Sequence, residues 1–495
     1  MCALLTLFLP SVLMLNKSIV KVFSIYVFAF SFLFASKPAN DADIWFHLKT
    51  GQEIIQTGLI PRTEIYSSTN YGIPFVAHGW LSGLLFYVVY SSIGLRTLTF
   101  LTALLAALAF WIVFRRTRSH PFIAGLATLL AVWAAVPTLG VKPRVFTLLF
   151  ASVYLALLDN FAREGKGRRI WWLIPLMVVW VNLHGGFFIG SALIAVTLIG
   201  VPLDAWAAGE NVRTVWPRVK TLALVFVGCL LAGLVNPYGV KMYTVSLQVL
   251  TSPVFQETVV DWLSPDFHRR EFLPLLLLIS LTSAALALSP KRVRPRELLL
   301  LLLMLYSTLK TNRQVAIFAL VAAPLLAEHL YNWLVSTSFG RSFKQLPSSY
   351  SSKTTKLAYL LLLPLLAFGF RLKSTVYGPP NQQRLLLPIN AVQYLREREI
   401  KGNTFTDPNV WGAYILWALP SNPVYIDGRG VYPEEFVREY VDIISGKIDW
   451  RPPFDRYGVK LVMIKPNSYL ARELGMESGW QRLYEDEMAV VFERR

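Results

Sequence analysis

The sequence predicts a polytopic α-helical membrane protein: about eleven transmembrane helices, then a C-terminal extracytoplasmic α/β domain. Three observations carry this. Of 495 residues, 54% are hydrophobic and only 16% charged, against about 25% charged in an ordinary soluble chain. Apolar runs of membrane-crossing length recur up to residue 371. Beyond residue 372 they give way to short segments of alternating strand and helix character.

The apolar runs lie at 19–36, 97–114, 121–139, 145–161, 170–184, 187–206, 219–235, 272–289, 297–310, 314–335 and 357–371. Lys17 and Lys21 bracket the start of the first run, and no small-residue cleavage site follows it. The run therefore reads as a retained anchor rather than a cleaved signal. The segment 79–93 is apolar but short. At 1.5 Å per residue it reaches about 22 Å, less than the ~30 Å hydrocarbon core.

The net charge is +18. In a soluble chain this would suggest nucleic acid. Here the basic residues gather in short loops, Arg115–Arg118, Arg163–Arg169, Arg213–Lys220, Lys291–Arg296 and Arg341–Lys356. That is the positive-inside pattern, and nucleic acid is not expected as a partner. If 79–93 lies along or dips into the membrane, all these loops fall on the cytoplasmic side. The expected location is then a bacterial inner membrane, with the N-terminus cytoplasmic and the C-terminal domain outside. The predicted domains are 1–371, with its first external loop at 37–96, a linker at 372–386 containing Pro379-Pro380, and 387–495.

Two cysteines, Cys2 and Cys229, exclude a disulfide framework or a thiolate metal site. Six histidines without HExxH spacing argue against zinc. In the tail, strands are expected at Asn403–Asp407, Pro423–Asp427 and Lys460–Ile464, with a closing hairpin of Trp480–Tyr484 and Ala489–Glu493. Helices are expected at Val410–Leu419, Glu434–Ser445 and 468–475.

The polar stretch 37–80 holds the first candidates. Asp41 and Asp43 stand two apart, and Asp41 or Asn40 could cap a helix over 43–57. Trp45, Leu48, Ile54 and Ile55 would give that helix an apolar side suited to the membrane interface. Asp43 is the stronger chemical candidate. A carboxylate at a membrane surface can hold a hard divalent cation, Mg²⁺ or Mn²⁺, or take the proton of a sugar hydroxyl. His47 shares its helical face, and His78 precedes the segment 79–93. Further external candidates follow. Lys142 and Arg144 flank Pro143 and suit a phosphate clamp or simple snorkelling. Asn182 and His184 precede the Gly185-Gly186 break. Asp261, Asp266 and His268 could supply a second metal ligand (Asp266 with Asp43) or an acceptor contact, with helix capping by Asp266 as the alternative. Arg313 is a further phosphate candidate. Asp427 and Arg429, in I-D-G-R-G, are expected to face the membrane surface, or to form a turn.

These residues resemble a family. One membrane helix, then an external loop with an early Asp on an amphipathic helix, then many helices, is similar to the layout of the GT-C glycosyltransferases. Asp43-Ile44-Trp45-Phe46-His47-Leu48-Lys49 resembles the D-P-W-F-N-Y-R run of oligosaccharyltransferase catalytic subunits. Val410-Trp411-Gly412-Ala413-Tyr414, with Tyr425-Ile426-Asp427-Gly428, resembles their W-W-D-Y-G region more loosely. Gly412 stands where the acidic residue would be, so the resemblance does not carry peptide-sequon recognition. Protein mannosyltransferase and aminoarabinose transferase types share the first loop. A bacterial GT-C-like branch shares D-A-D-I-W-F-H-L, A-H-G-W-L, N-L-H-G-G-F, N-P-Y-G and S-P-D-F-H. The resemblance implies transfer of a sugar from a polyprenyl-phosphate carrier to a lipid, glycan or protein acceptor. It puts Asp43, supported by Asp41, at the metal and acceptor site, with membrane lipids as surroundings. The alternatives are an inactive scaffold or lipid-handling protein of the same fold, and a transporter.

Overall fold

The computed structural model describes residues 17–37, 42–165, 167–258, 260–337, 367, 369–370 and 387–495. Asp41, the linker 372–386 and nearly all of the run 357–371 lie outside the described residues. In chain order the helices are α1 (Lys17–Ala35), α2 (Asp43–Thr57), α3 (Trp80–Ile93), α4 (Leu95–Arg116), α5 (Pro121–Ala135), α6 (Arg144–Glu164), α7 (Leu173–Leu183), α8 (Phe188–Ala207), α9 (Trp216–Ala232), α10 (Lys241–Thr251), α11 (Pro253–Thr258), α12 (Leu273–Leu288), α13 (Pro295–Lys310), α14 (Val315–Ser336), α15 (Ile389–Glu397), α16 (Val410–Ala418), α17 (Glu434–Ile444), α18 (Arg451–Arg456) and α19 (Tyr469–Met476). The strands are β1 (Asn403–Asp407), β2 (Val459–Ile464), β3 (Trp480–Glu485) and β4 (Val490–Arg494).

The chain forms two compact units. The first comprises Met1–Lys37, Thr99–Asn236 and Val260–Gly378. The second comprises Pro38–Leu98, Pro237–Val259 and Pro379–Arg495. The segment 38–98 thus groups with the C-terminal residues rather than with the helices that flank it.

The first unit is helical. Among the described residues, seven helices are long and apolar enough to cross a membrane: Leu95–Arg116, Pro121–Thr138, Arg144–Glu164, Gly185–Ala207, Val212–Ala232, Arg270–Leu288 and Asn312–Ser336. Three other predicted crossings are shorter. α1 is apolar over Val20–Ala35, α7 has 11 residues, and α13 has 16. Proline opens several helices, at Pro121, Pro217, Pro274 and Pro295, where the missing N–H has no partner to lose. α6 ends at Gly165, whose φ of 68° lets its N–H turn back to the Phe161 carbonyl. α14 is the central helix. It packs on α5, α12 and α13, and thirteen consecutive residues from Val315 to Ala327 hold no exposed side chain. Ala and Gly on these helices permit the close approach. At Gly190, for example, a β-carbon would stand 2.7 Å from the Trp180 ring.

The second unit is built on a four-stranded sheet of order β1-β2-β4-β3. β1 and β2 are parallel, and β4 runs antiparallel to both β2 and β3. All but one of the predicted tail elements are present within a residue or two. The exception is Pro423–Asp427, which is not a strand. It is an extended segment bridged at Val424 to Thr404 of β1 and to Ser67 of the first loop. The cause is local: Thr404 N–H donates to the Pro423 carbonyl and Tyr425 N–H to the Thr404 carbonyl, and then Asp427 turns away to meet Arg429. Through Val424 the first loop extends the C-terminal sheet.

α2 and α3 form a hairpin with a glycine contact. A β-carbon on Gly51 would stand 2.2 Å from the Gly83 carbonyl, and one on Gly83 would stand 2.7 Å from the His47 carbonyl. The apolar side of α2, expected at the membrane interface, is largely covered by protein. Leu48 is fully buried and Ile54 nearly so. Trp45 packs against Tyr414 and Trp417 of α16, with centroids at 5.2 and 6.0 Å. Ile55 alone of the four remains well exposed.

Candidate functional site

In the first unit, three cations gather around one carboxylate. α6 begins at Arg144, with Pro143 at its N-cap and Lys142 before it. Cations at a helix N-terminus oppose the helix dipole, so their presence there calls for an anion. Asp261 answers it here. Its Oδ2 accepts from Lys142 Nζ at 3.1 Å and from Arg144 Nη2 at 2.6 Å. The 260–264 segment carrying Asp261 is tied to the start of α14, because Asn312 N–H donates to the Leu263 carbonyl. Arg313 lies over the Trp262 ring at 4.3 Å. Burial would raise the Asp261 pKa, but Arg144, Lys142 and Arg313 outweigh it and hold the carboxyl well below its usual range. Arg144 Nη1 is buried and makes no hydrogen bond. The cluster thus keeps an unused donor, as an anion site would.

His184 is fixed by its neighbours. Trp180 Nε1 donates to Thr147 Oγ1 at 2.9 Å. Gly186 N–H donates to His184 Nδ1 at 3.0 Å, and Thr147 Oγ1 stands 2.8 Å from the same nitrogen. Nδ1 is therefore the acceptor, and the proton belongs on Nε2. A side chain at Gly186 would meet Thr147 at 2.6 Å, which accounts for the second glycine. Asn182 is a strut: its Nδ2 donates to the Val178 and Val235 carbonyls at 2.8 and 2.9 Å. Asp266 does not cap a helix. Its Oδ1 accepts His268 N–H at 3.0 Å in an exposed turn. Asp43 and Asp266 belong to different units. Among the described residues no group of three His, Cys, Asp or Glu side chains could hold a metal ion.

In the second unit, Asp43 is the first residue of α2, where the helix dipole favours a carboxylate. The N-cap is Ala42, without a side-chain hydrogen bond. Asp43 stands against the I-D-G-R-G segment: a β-carbon on Gly428 would lie 3.1 Å from its Oδ1. Gly428 is exposed, whereas Asp427 and Arg429 on either side are 2% and 4% exposed. The expectation that this pair faces the membrane surface is therefore corrected. Arg429 donates through Nε and Nη2 to Asp427 at 2.6–3.0 Å. It also pairs with Glu64 of the first loop at 2.8 Å. Glu64 in turn accepts Tyr66 and Ser67 N–H at 2.7 and 3.0 Å, and Tyr432 O–H donates to Asp427 at 3.0 Å. Burial opposes the charge on Arg429; Asp427 and Glu64 outweigh it and keep the guanidinium charged. Glu64 is not among the residues that motif or spacing singled out. His47 stacks beside Phe46 at 4.1 Å, and both His47 and His78 are half-buried.

Gly412 also has a packing cause. A β-carbon there would lie 2.3 Å from the Ile426 carbonyl. This chain has no room for the acidic residue that oligosaccharyltransferases carry at the resembling position.

The chain has the fold of the GT-C membrane glycosyltransferases. Among solved structures the chain is similar to the oligosaccharyltransferase AglB of Archaeoglobus fulgidus in complex with an inhibitory peptide and a dolichol-phosphate. There it shows 13% identity and a TM-score of 0.54, covering 91% of this chain and 69% of that one. It is also similar to ArnT of Cupriavidus metallidurans bound to undecaprenyl phosphate, at 15% identity and a TM-score of 0.50, covering 96% and 97%. No family model matches the sequence, and no curated protein matches it. At these identities the likeness is one of fold.

Proposed function

We propose that the chain is a glycosyltransferase that moves a sugar from a polyprenyl-phosphate-linked donor to an acceptor hydroxyl at the outer face of a bacterial inner membrane. The observation that carries this reading is the gathering of Lys142, Arg144 and Arg313 at the Asp261 carboxylate, with Arg144 Nη1 making no hydrogen bond among the described residues. Both fold neighbours are glycosyltransferases, and their structures hold a polyprenyl-type phosphate. In the reaction the acceptor oxygen attacks the sugar C1 and the bond from C1 to the phosphate oxygen breaks. That electron pair leaves on the phosphate, and Lys142, Arg144 and Arg313 stabilise the charge. The acceptor proton goes to a carboxylate base, and Asp43, the first residue of α2, is the candidate that Asp43→Asn tests. The topology that goes with this reading has about eleven crossings, a cytoplasmic N-terminus and an external C-terminal unit.

The test is transfer by the purified full chain from a panel of polyprenyl-linked sugars, with Asp43→Asn alongside. Loss of a positioned base is expected to slow transfer by about 10²–10⁴-fold. Undiminished transfer by Asp43→Asn removes that residue from its role, and no transfer from any donor by the wild type favours a non-catalytic lipid-handling protein.

A further inference from the structure

The end of the helical unit that carries the basic loops holds a second charged centre. A cavity of about 50 Å³ lies there among Arg116, Arg118, Arg163 and Arg296, facing Asp159, Glu297 and Glu328. At ~10–15 Å³ per water this is space for about three to five waters, close to the size of one phosphate group. It is not the cluster at Arg144. Arg144 and Arg163 are the two ends of α6, about 28 Å apart at 1.5 Å per residue.

The pairing within this centre is unequal. Arg163 binds Asp159 at 2.8 Å and Glu297 at 2.6 Å. Arg296 binds Asp159 at 3.2 Å and Asp204 at 3.3 Å. Lys291 binds Glu328. Each carboxylate is thus engaged by at least one of these three cations, and Asp159 by two. Arg116 donates to the backbone carbonyl of Leu320, and its Nε is buried with no partner. Arg118 makes no hydrogen bond or ion pair among the described residues, although it lines the same cavity and is partly exposed. Two guanidinium groups therefore meet the cavity without a carboxylate of their own. A buried charge left uncompensated is costly, and an anion relieves that cost. Planar guanidinium groups favour phosphate oxygens in particular, and basic pockets between membrane helices are suited to lipid head groups.

We propose that this cavity binds a phosphate-type anion through Arg116 and Arg118, separately from any donor bound at Lys142 and Arg144. Free phosphate and a phospholipid head group present the same chemistry, so the test uses both. The full chain in detergent, carrying Lys142→Gln and Arg144→Gln to disable the other cluster, is titrated with inorganic phosphate and, separately, with short-chain phosphatidylglycerol. Thermal unfolding and native mass spectrometry read the binding. Saturable binding of one probe is expected, weakened about tenfold by Arg118→Gln, in keeping with one lost charge-assisted hydrogen bond. Arg116→Gln removes a buried group and can unfold the chain. Arg118→Gln holds no hydrogen bond in the fold, so it decides the matter. Binding of phosphate identifies a soluble anion, and binding of the lipid alone identifies a head group. Binding of neither probe, or equal binding with and without Arg118→Gln, overturns the proposal.

Discussion

The two ends of α6 use the same side chains to opposite effect. At its start, Lys142 and Arg144 share one oxygen of Asp261, a carboxylate 37% exposed. At its end, Arg163 is 11% exposed and bonds two carboxylates, with a third at 3.9 Å. The first arrangement has more donors than acceptors and can receive an anion. The second distributes charge over α6, α8, α13 and α14 and ties the helices together. The difference shows that density of basic residues does not mark a site: Arg163 is held by its carboxylates, and an anion can be received by cations that have no carboxylate within ion-pair distance among the described residues, as Arg116 and Arg118 at the edge of the same centre.

The sharpest way to break this comparison is to remove Arg163. Arg163→Met would leave Asp159 and Glu297 buried with half their partners. Loss of one member of a buried ionic group costs about 3–5 kcal/mol. The expected outcome is a large fall in unfolding temperature in detergent, or no folded protein at all. A variant as stable as the wild type would mean that the centre is hydrated and the helices are held by packing alone.

At the other end, Arg144→Gln should spare the fold and damage the chemistry. Its loss removes a donor to the leaving phosphate, for which about 10²–10³ in rate is typical. Unfolding and transfer are measured on the same preparation. A variant that unfolds as readily as Arg163→Met would show that the two ends are equally structural, and would remove the basis for placing a phosphate there.

Much of the fold was legible in the sequence, because hydropathy and period report burial directly. Ten of the apolar runs, three of the tail helices and four of its five expected strands follow from them; the short tail helices α15 and α18 were not foreseen. The eleven-crossing reading ran ahead of the structure where apolar length hid a break. Residues 170–184 divide into a 3-10 turn at Arg168–Trp172 and the 11-residue α7, whereas the turn at 185–187 falls at the Gly185-Gly186 break that the sequence marks. Charge beside a helix end singled out Asp43, Lys142, Arg144 and Arg313 as candidates, and the structure places each of them there. Partners distant in sequence were not singled out. Glu64 meets Arg429 across 365 positions, and nothing local in E-I-Y-S marks it. The I-D-G-R-G turn also misled. Asp and Arg around a glycine suggest an exposed loop, yet here the charged pair is buried and the glycine is outside. The basic loops read as topological because their acidic partners, Asp159, Asp204 and Glu328, lie inside apolar runs, where single carboxylates are easily passed over.

Asp261→Asn gives the smallest effect and separates holding from blocking. Asp261 now occupies the donors that a phosphate would need. Hydrogen bonds to charged groups contribute about 1.5–3 kcal/mol; for a side chain this exposed, solvent screening lowers the figure to about 1 kcal/mol. Its depressed pKa sets the sign with pH. The contribution is fully present above the ordinary carboxylate value of about 4 and declines as pH falls below it. At neutral pH the variant should therefore unfold slightly earlier than the wild type, and in acid the gap should close. Binding should move the other way: with the competing carboxylate gone, phosphate has Lys142 and Arg144 to itself, and KM for the donor should fall a few-fold, at about 1 kcal/mol of relieved competition. A rise in KM would show instead that Asp261 orients the two cations for the donor, so that the carboxylate is part of the binding site and not its occupant.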